Sequence, residues 1–284
     1  MGVAAVLVAV LAGHRAEFET ALQAAPLWIL AIAALLQLVA LLARSEAWHV
    51  CVGAAGGTVS RRRLFRAASL GNLCSQLNSQ FGAAARIAAL RRSAPDDAPR
   101  VAALIGAEVP IVVVEVGLAA LASFTLIGPL GLPWWSPALA VGLVVAVGAG
   151  LRGLARGRGT GFTTGLAVLR SLHGRTRVVA FVLVAVFAQI ARNWLMLRAL
   201  GVDASVFDAT AVLIAMVSLS TLPVGPSVGA AAVVLILGTH GVAATAAAGV
   251  LLTATGTAGA LAYVGWAGID RLRSPRAPAL ATVA

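Results

Sequence analysis

The sequence contains no lysine, few charged residues and only two cysteines. Charged residues make up 11% of the chain, far below the roughly 25% that is typical of soluble domains. With a hydrophobic content of 60% and a mean hydropathy of +0.96, this scarcity excludes an ordinary soluble protein. Short alternating strands, the pattern of a transmembrane barrel, are also missing. We therefore predict an all-α, polytopic transmembrane helix bundle.

Metal and disulfide chemistry have little support in the sequence. Cys51 and Cys74 lie close to arginine-rich segments, where a structural disulfide is not expected. The four histidines have no metal-ligand spacing, and no CxxC motif occurs. We expect no metal and no cofactor.

The basic residues indicate a membrane topology rather than a nucleic-acid partner. All 21 are arginines, and they collect in short segments between apolar runs. Arginine-rich loops normally stay on the cytoplasmic side of a membrane. Because no basic soluble domain exists to carry nucleic-acid binding, we expect no such partner despite the net charge of +11.

Apolar runs that approach the ~20 residues of a membrane-spanning helix define the domain organisation. About six crossings are predicted, at residues 1–13, 26–43, 101–127, 137–151, 178–200 and 243–268. We expect one transmembrane domain over residues 1–270 and a short disordered tail over 271–284.

Two further segments, 67–90 and 207–238, are apolar but interrupted by polar residues, glycine and proline. Arginines flank both ends of 67–90, whereas the loops before and after the second segment carry none. We therefore predict two re-entrant or broken helical hairpins that enter from opposite faces, as an inverted repeat would produce. This topology predicts that both termini lie in the cytoplasm. We expect the protein in the plasma membrane.

Amide side chains are concentrated in the first hairpin, at Asn72, Gln76 and Asn78. Non-helical backbone within a membrane is tolerated where it lines a polar cavity. We predict that these amides line such a cavity; the alternative is that they join neighbouring helices by hydrogen bonds.

Charged residues within the apolar segments form two groups. Glu108 and Glu115 lie seven residues apart, on nearly the same face of one helix. Either could pair with Arg86 at the end of the first hairpin. The pair would be a functional, proton-sensitive ion pair or a structural contact that holds the hairpin in place. Arg192 and Asn193 form a second polar pair; the alternative for Arg192 is that it snorkels to the membrane surface.

The second hairpin contains helix-breaking residues, including Pro223 and Gly229, and a helix is predicted to restart near Ser227. The N-terminus of such a half-helix suits an anionic group, such as a phosphate headgroup. The same stretch contains a G-x-S-x-G pattern. An intramembrane serine protease is disfavoured, because Ser227 and His240 would lie too far apart on one helix.

These hairpin motifs resemble the lysylphosphatidylglycerol synthase transmembrane region, a family of flippase-like membrane proteins. The resemblance runs from about Arg44 to Asp270. It is carried by Gly71, Asn72, Gly82 and Arg86 in the first hairpin, by Pro223, Pro226 and Gly229 in the second, and by Glu108. The chain departs from the family pattern at Ala83 and Ala232, where the family has acidic residues, and Ser79 lies near the position of a family proline.

The resemblance implies a translocase of a lipid or lipid-linked intermediate. The missing hairpin acids, with Arg86 retained, favour an anionic headgroup. In the predicted mechanism Arg86 contacts phosphate, the first-hairpin amides hydrogen-bond the headgroup, and Glu108 or Glu115 balances the arginine. Membrane lipids are the expected partners. Synthase activity, which the family places in a soluble domain, is not expected, so the protein is not predicted to be an enzyme.

Two other functions remain open. One is a non-transporting scaffold for a cell-envelope glycosyltransferase or lipid-modifying enzyme. The other is proton-coupled solute transport, which would depend on Glu115.

Overall fold

The computed structural model describes residues 20, 25–76, 79–156, 161–220, 228–238 and 241–273. Within these residues all regular structure is helical, and five helices are long and apolar enough to cross a membrane. The predicted all-α bundle is confirmed. The crossing predicted at 1–13 lies outside the described residues.

Eleven α-helices are described. In chain order they are α1 (Leu27–Ala54), α2 (Arg61–Ser75), α3 (Ser79–Ser93), α4 (Val101–Ala122), α5 (Ile127–Leu130), α6 (Ser136–Arg156), α7 (Phe162–Gly165), α8 (Leu172–Ala199), α9 (Val206–Leu219), α10 (Val228–Leu237) and α11 (Val242–Arg273). Two 3₁₀ turns, Ser123–Leu126 and Leu166–Arg170, join α4 to α5 and α7 to α8.

The spanning helices correspond to the predicted crossings, but four of them, α1, α6, α8 and α11, extend five residues or more beyond the predicted bounds at one end. Helix α1 continues past residue 43 to Ala54, because its polar residues find partners: Arg44 pairs with Glu115, and Ser45 donates to the carbonyl of Leu41. Helix α11 continues to Arg273. Its last turn is basic, which complements the negative end of the helix dipole. The predicted disordered tail therefore cannot begin at residue 271, and residues 274–284 lie outside the described range.

Helices α2 and α3 form the first hairpin, residues 61–93. Each has 15 residues, or about 22 Å of helical rise, which is less than the ~30 Å hydrocarbon core. The two helices pack closely, with Gly71 and Gly82 at the contact. Asn78 lies between them, outside the described residues.

Helices α9 and α10 form the second hairpin, residues 206–237. They have 14 and 10 residues and are likewise too short to cross. Helix α9 begins with a capping box, in which the Ser205 hydroxyl accepts from the Asp208 backbone and the Asp208 carboxylate accepts from the Ser205 backbone. Pro223 and Ser227 lie in the segment between the two helices, outside the described residues.

Each hairpin packs on its own apolar core. The first core joins the first hairpin to α1 and α4 through fully buried side chains such as Trp48, Leu64, Leu90 and Leu104. The second joins the second hairpin to α8 and α11 through Met196, Leu197, Val212 and Leu252.

Candidate functional site

The two hairpins approach α11 from opposite ends. The base of the first hairpin is tied to the C-terminal end of α11, where Arg66 Nε donates to Asp270 Oδ2 at 2.6 Å. The second hairpin ends at the other end of this helix, because α10 leads into the N-terminus of α11 after a short connection. The opposite entry predicted from the sequence agrees with this arrangement.

The turn of the first hairpin lies at the middle of α11. Gln76, which follows α2, places Oε1 3.5 Å from the hydroxyl of Thr257. Thr257 is the sixteenth of the 32 residues of α11. The same hydroxyl donates to the carbonyl of Thr253 at 3.0 Å. The first hairpin thus reaches the centre of the longest described helix and turns back there.

The second hairpin meets α11 about one turn away. Gly229, in the first turn of α10, lies so close to α11 that a Cβ there would be 2.5 Å from the Gly249 carbonyl oxygen and would collide with Thr253. Gly249, Thr253 and Gly256 share one face of α11, because they are spaced by four and three residues. Thr253 and Thr257 are separated by about 6 Å of helical rise. Both hairpins therefore contact the same central part of α11.

Arg192 of α8 lies against this central part. Its side chain is buried, with 5% of the residue exposed. Nη1 donates to Gln37 of α1, and Nη2 lies 3.4 Å from Asn193 Oδ1. A Cβ on Gly256 would lie 3.4 Å from Nη1. Arg192 does not snorkel to the surface, so that alternative is wrong.

Two donors of this pair are left without a partner. Arg192 Nε and Asn193 Nδ2 are both buried, and neither has a hydrogen-bond partner among the described residues. Buried polar groups are normally satisfied, so two unpaired donors on adjacent residues are unusual.

Arg86 is held differently. It pairs with Glu108 of α4, and its guanidinium lies 4.7 Å from the centre of the Trp48 ring. The predicted partner Glu108 is thus found, whereas Glu115 pairs with Arg44 at 3.0 Å. Arg86 Nε and Glu108 Oε1 have no partner among the described residues.

The charges of the two arginines are therefore balanced unequally. Arg86 and Arg192 are the buried arginines in the described part of the chain, and only Arg86 has a carboxylate within ion-pair distance. A charged side chain within the bilayer is costly unless it is paired or hydrated. The central site is consequently electropositive and suits an anion.

The other predicted site residues are less closely connected. Asn72 is half-buried on α2, and its carbonyl accepts from Ser75 at 2.7 Å. No described contact joins the Asn72 side chain to Arg192. Asn78, Pro223 and Ser227 are outside the described residues, so their predicted roles stay predictions.

Three central contributors were missed in the sequence: Gln37, Thr257 and Gly256. Gln37 interrupts an otherwise apolar crossing, and intramembrane polar residues are often functional. The small residues of α11 recur at helical spacing, a pattern typical of close helix packing. Either signal could have drawn attention to this level of the bundle.

In comparisons with known proteins, no protein family, no curated protein and no solved structure matches the chain. The likeness to flippase-like membrane proteins therefore stays a prediction from the hairpin residues.

Proposed function

We propose that this integral membrane protein is a translocase of a lipid or lipid-linked intermediate with an anionic headgroup. The observation that carries the proposal is that two short hairpins meet the middle of α11, beside a buried arginine without a carboxylate partner in the described residues. The chemistry of this site suits a negatively charged group at a depth where lipid alone could not accommodate it.

The barrier to lipid translocation is the transfer of a charged headgroup through hydrocarbon, because an unpaired charge in an apolar medium is strongly unfavourable. A polar path through the protein lowers this barrier. In the proposed path the acyl chains stay in the bilayer, while the headgroup passes between the hairpins and α11. Gln76, Thr257 and Asn193 offer hydrogen bonds there, and Arg192 offers a positive charge.

Arg86 belongs to the same path at the level of the first hairpin. Because Glu108 already neutralises much of its charge, we expect Arg86 to exchange between the carboxylate and a passing phosphate. In the absence of lipid, the Arg86–Glu108 ion pair would hold the first hairpin against α4.

The proposal is tested by reconstituting the purified full chain into liposomes that carry a headgroup-labelled fluorescent phosphatidylglycerol. The rate at which label becomes protected from, or exposed to, dithionite reports translocation. We expect a clear acceleration over protein-free vesicles. Thr257→Val should slow it about fivefold, the effect of losing a hydrogen bond worth about 1 kcal/mol.

Thr176→Val is the matched control. Thr176 makes the same type of backbone hydrogen bond, to Leu172 at 2.9 Å, but on an exposed part of α8. Its variant should translocate lipid like the wild type. If purified protein moves no lipid faster than empty vesicles, the translocase proposal fails and the scaffold hypothesis is favoured.

A further inference from the structure

We infer that Arg192 and Asn193 form the binding site for the phosphate group of the transported lipid, which deepens the proposed function and rests on it. Arg86, the arginine singled out by the sequence motifs, already has a carboxylate partner, whereas Arg192 does not.

The unpaired atoms are all donors. An arginine has no acceptor, and the Asn193 amide nitrogen also donates only. A neutral water could occupy one such position, but it would leave the charge of Arg192 unbalanced. An oxygen of an anionic group can accept from both nitrogens and also neutralise the arginine.

The acids of the neighbouring helices do not supply this charge. Glu46 pairs with Arg61, Glu108 with Arg86 and Glu115 with Arg44. The partner of Arg192 is instead Gln37, a neutral amide on α1. The residues around Arg192 thus preserve its positive charge for a ligand.

A phosphate fits this arrangement better than a small anion. A phosphate carries several acceptor oxygens, so it can accept from Arg192 Nε and Asn193 Nδ2 through different oxygens, which a single-atom anion such as chloride cannot do. In this site Arg192 Nη1 donates to Gln37, and Nη2 lies next to Asn193 Oδ1. The nitrogens that a ligand could use are therefore Arg192 Nε and Asn193 Nδ2. Both free nitrogens are buried, so the phosphate reaches them when a packed helix is displaced.

The decisive variant is Gln37→Glu. It has nearly the same shape as the native side chain and places a carboxylate oxygen where Arg192 Nη1 already donates. The new ion pair should raise the unfolding temperature of the full chain in detergent without lipid. It should also remove the preference for a phosphate ligand, because the arginine is now neutralised internally.

The assay measures the unfolding temperature of the detergent-purified full chain against increasing dioleoylphosphatidylglycerol. A ligand that binds the native state raises this temperature with concentration. A glucosyl diacylglycerol of the same chain length, which lacks phosphate, is the lipid control and should not stabilise. Both Arg192→Gln and Gln37→Glu should increase the apparent Kd for phosphatidylglycerol at least about tenfold, which corresponds to 1.4 kcal/mol.

Arg198→Gln is the matched charge control. Arg198 is on the same helix, but its side chain is 50% exposed and pairs with Asp203. This variant should bind phosphatidylglycerol like the wild type. A response to the lipid that is equal in wild type, Arg192→Gln and Gln37→Glu would overturn the inference.

The same unfolding assay is repeated with inorganic phosphate in place of lipid, and its effect on the unfolding temperature is compared with that of chloride at equal ionic strength. If phosphate stabilises the protein through Arg192 as strongly as the lipid does, the site stands but takes a soluble phosphate. Equal stabilisation by chloride would overturn a phosphate site.

The two proposals fail separately. Arg192-dependent phosphate binding without lipid movement in liposomes would retain the site and reject the translocase. Lipid movement that is unchanged in Arg192→Gln and Gln37→Glu would retain the translocase proposal and reject the phosphate site at Arg192.

Discussion

Gly71 and Gly82 face each other across the first hairpin. A Cβ added to Gly71 would lie 2.8 Å from the carbonyl oxygen of Gly82, and one added to Gly82 would lie 2.9 Å from the carbonyl oxygen of Gly71. The two backbones are thus too close for any side chain between them. Such contacts between small residues are a common basis of helix packing within membranes.

Replacement of either glycine by alanine should therefore destabilise the hairpin. In Gly71→Ala the new methyl would also lie 2.6 Å from Cβ of Arg86, and backbone atoms cannot rotate away as a flexible side chain can. Overpacking of this kind costs about 1–3 kcal/mol. The unfolding of purified protein in mixed detergent micelles, followed by circular dichroism, would measure it.

Gly142→Ala is the control for this prediction. Gly142 is on α6, and a Cβ there meets no other atom within 4 Å. Since alanine is the better helix former by about 1 kcal/mol, this variant should be as stable as the wild type or slightly more stable. If Gly71→Ala and Gly142→Ala were both as stable as the wild type, the two hairpin helices would not be in contact.

The Arg86–Glu108 pair should be strongly coupled. Removal of one partner by Arg86→Gln or Glu108→Gln leaves the other charge buried and unpaired, which costs about 3–5 kcal/mol. The double variant Arg86→Gln/Glu108→Gln should lose less stability than the sum of the two single variants. A double-mutant cycle on unfolding free energies measures this difference.

Arg198 and Asp203 provide a matched exposed pair for the cycle. Their side chains are 50% and 91% exposed, so solvent screens the interaction and little coupling is expected. Strictly additive losses at Arg86 and Glu108 would show that the buried pair does not exist in the folded protein.

Much of the helical framework could be predicted from local sequence. Long apolar runs specify spanning helices regardless of their neighbours, and five predicted crossings have counterparts among the described helices. The interrupted segments predicted the two hairpins, because helices of 15 residues or fewer cannot cross and must turn back. The seven-residue spacing of Glu108 and Glu115 was also informative, since one of the two pairs with Arg86.

The centre of the site could not be predicted in the same way. Gln37 and Arg192 are 155 residues apart, and no local pattern relates them. The length of α1 was underestimated for a similar reason. The predicted crossing ends at residue 43, before Arg44, but Glu115 of another helix pairs with this arginine and the helix continues. Such pairings depend on tertiary packing, which single-sequence patterns do not encode.

The contact between the first hairpin and the middle of α11 predicts an efficient cross-link. In a background with Cys51→Ala and Cys74→Ala, the pair Gln76→Cys/Thr257→Cys should be joined by a short bifunctional thiol reagent. The native side chains approach to 3.5 Å, which is within the reach of such a reagent. Mass spectrometry of a protease digest would identify the linked peptides.

A second pair serves as the comparison. Trp266 lies nine residues beyond Thr257, or about 13 Å along α11. The pair Gln76→Cys/Trp266→Cys should react much less with the same short reagent. Equal yields for the two pairs would show that the hairpin turn is not held at the centre of the helix.

The first hairpin should have both of its ends on one side of the membrane. Arg62 at the start of α2 and Arg92 at the end of α3 are exposed, and so is Trp134 in the connection between α5 and α6. In the same cysteine-free background, a membrane-impermeant maleimide should label Trp134→Cys in intact cells. Arg62→Cys and Arg92→Cys should react only after permeabilisation, because arginine-rich segments stay in the cytoplasm. If Arg62→Cys and Arg92→Cys react from opposite sides, the segment between them crosses the membrane, and the polar path proposed between the hairpins cannot exist.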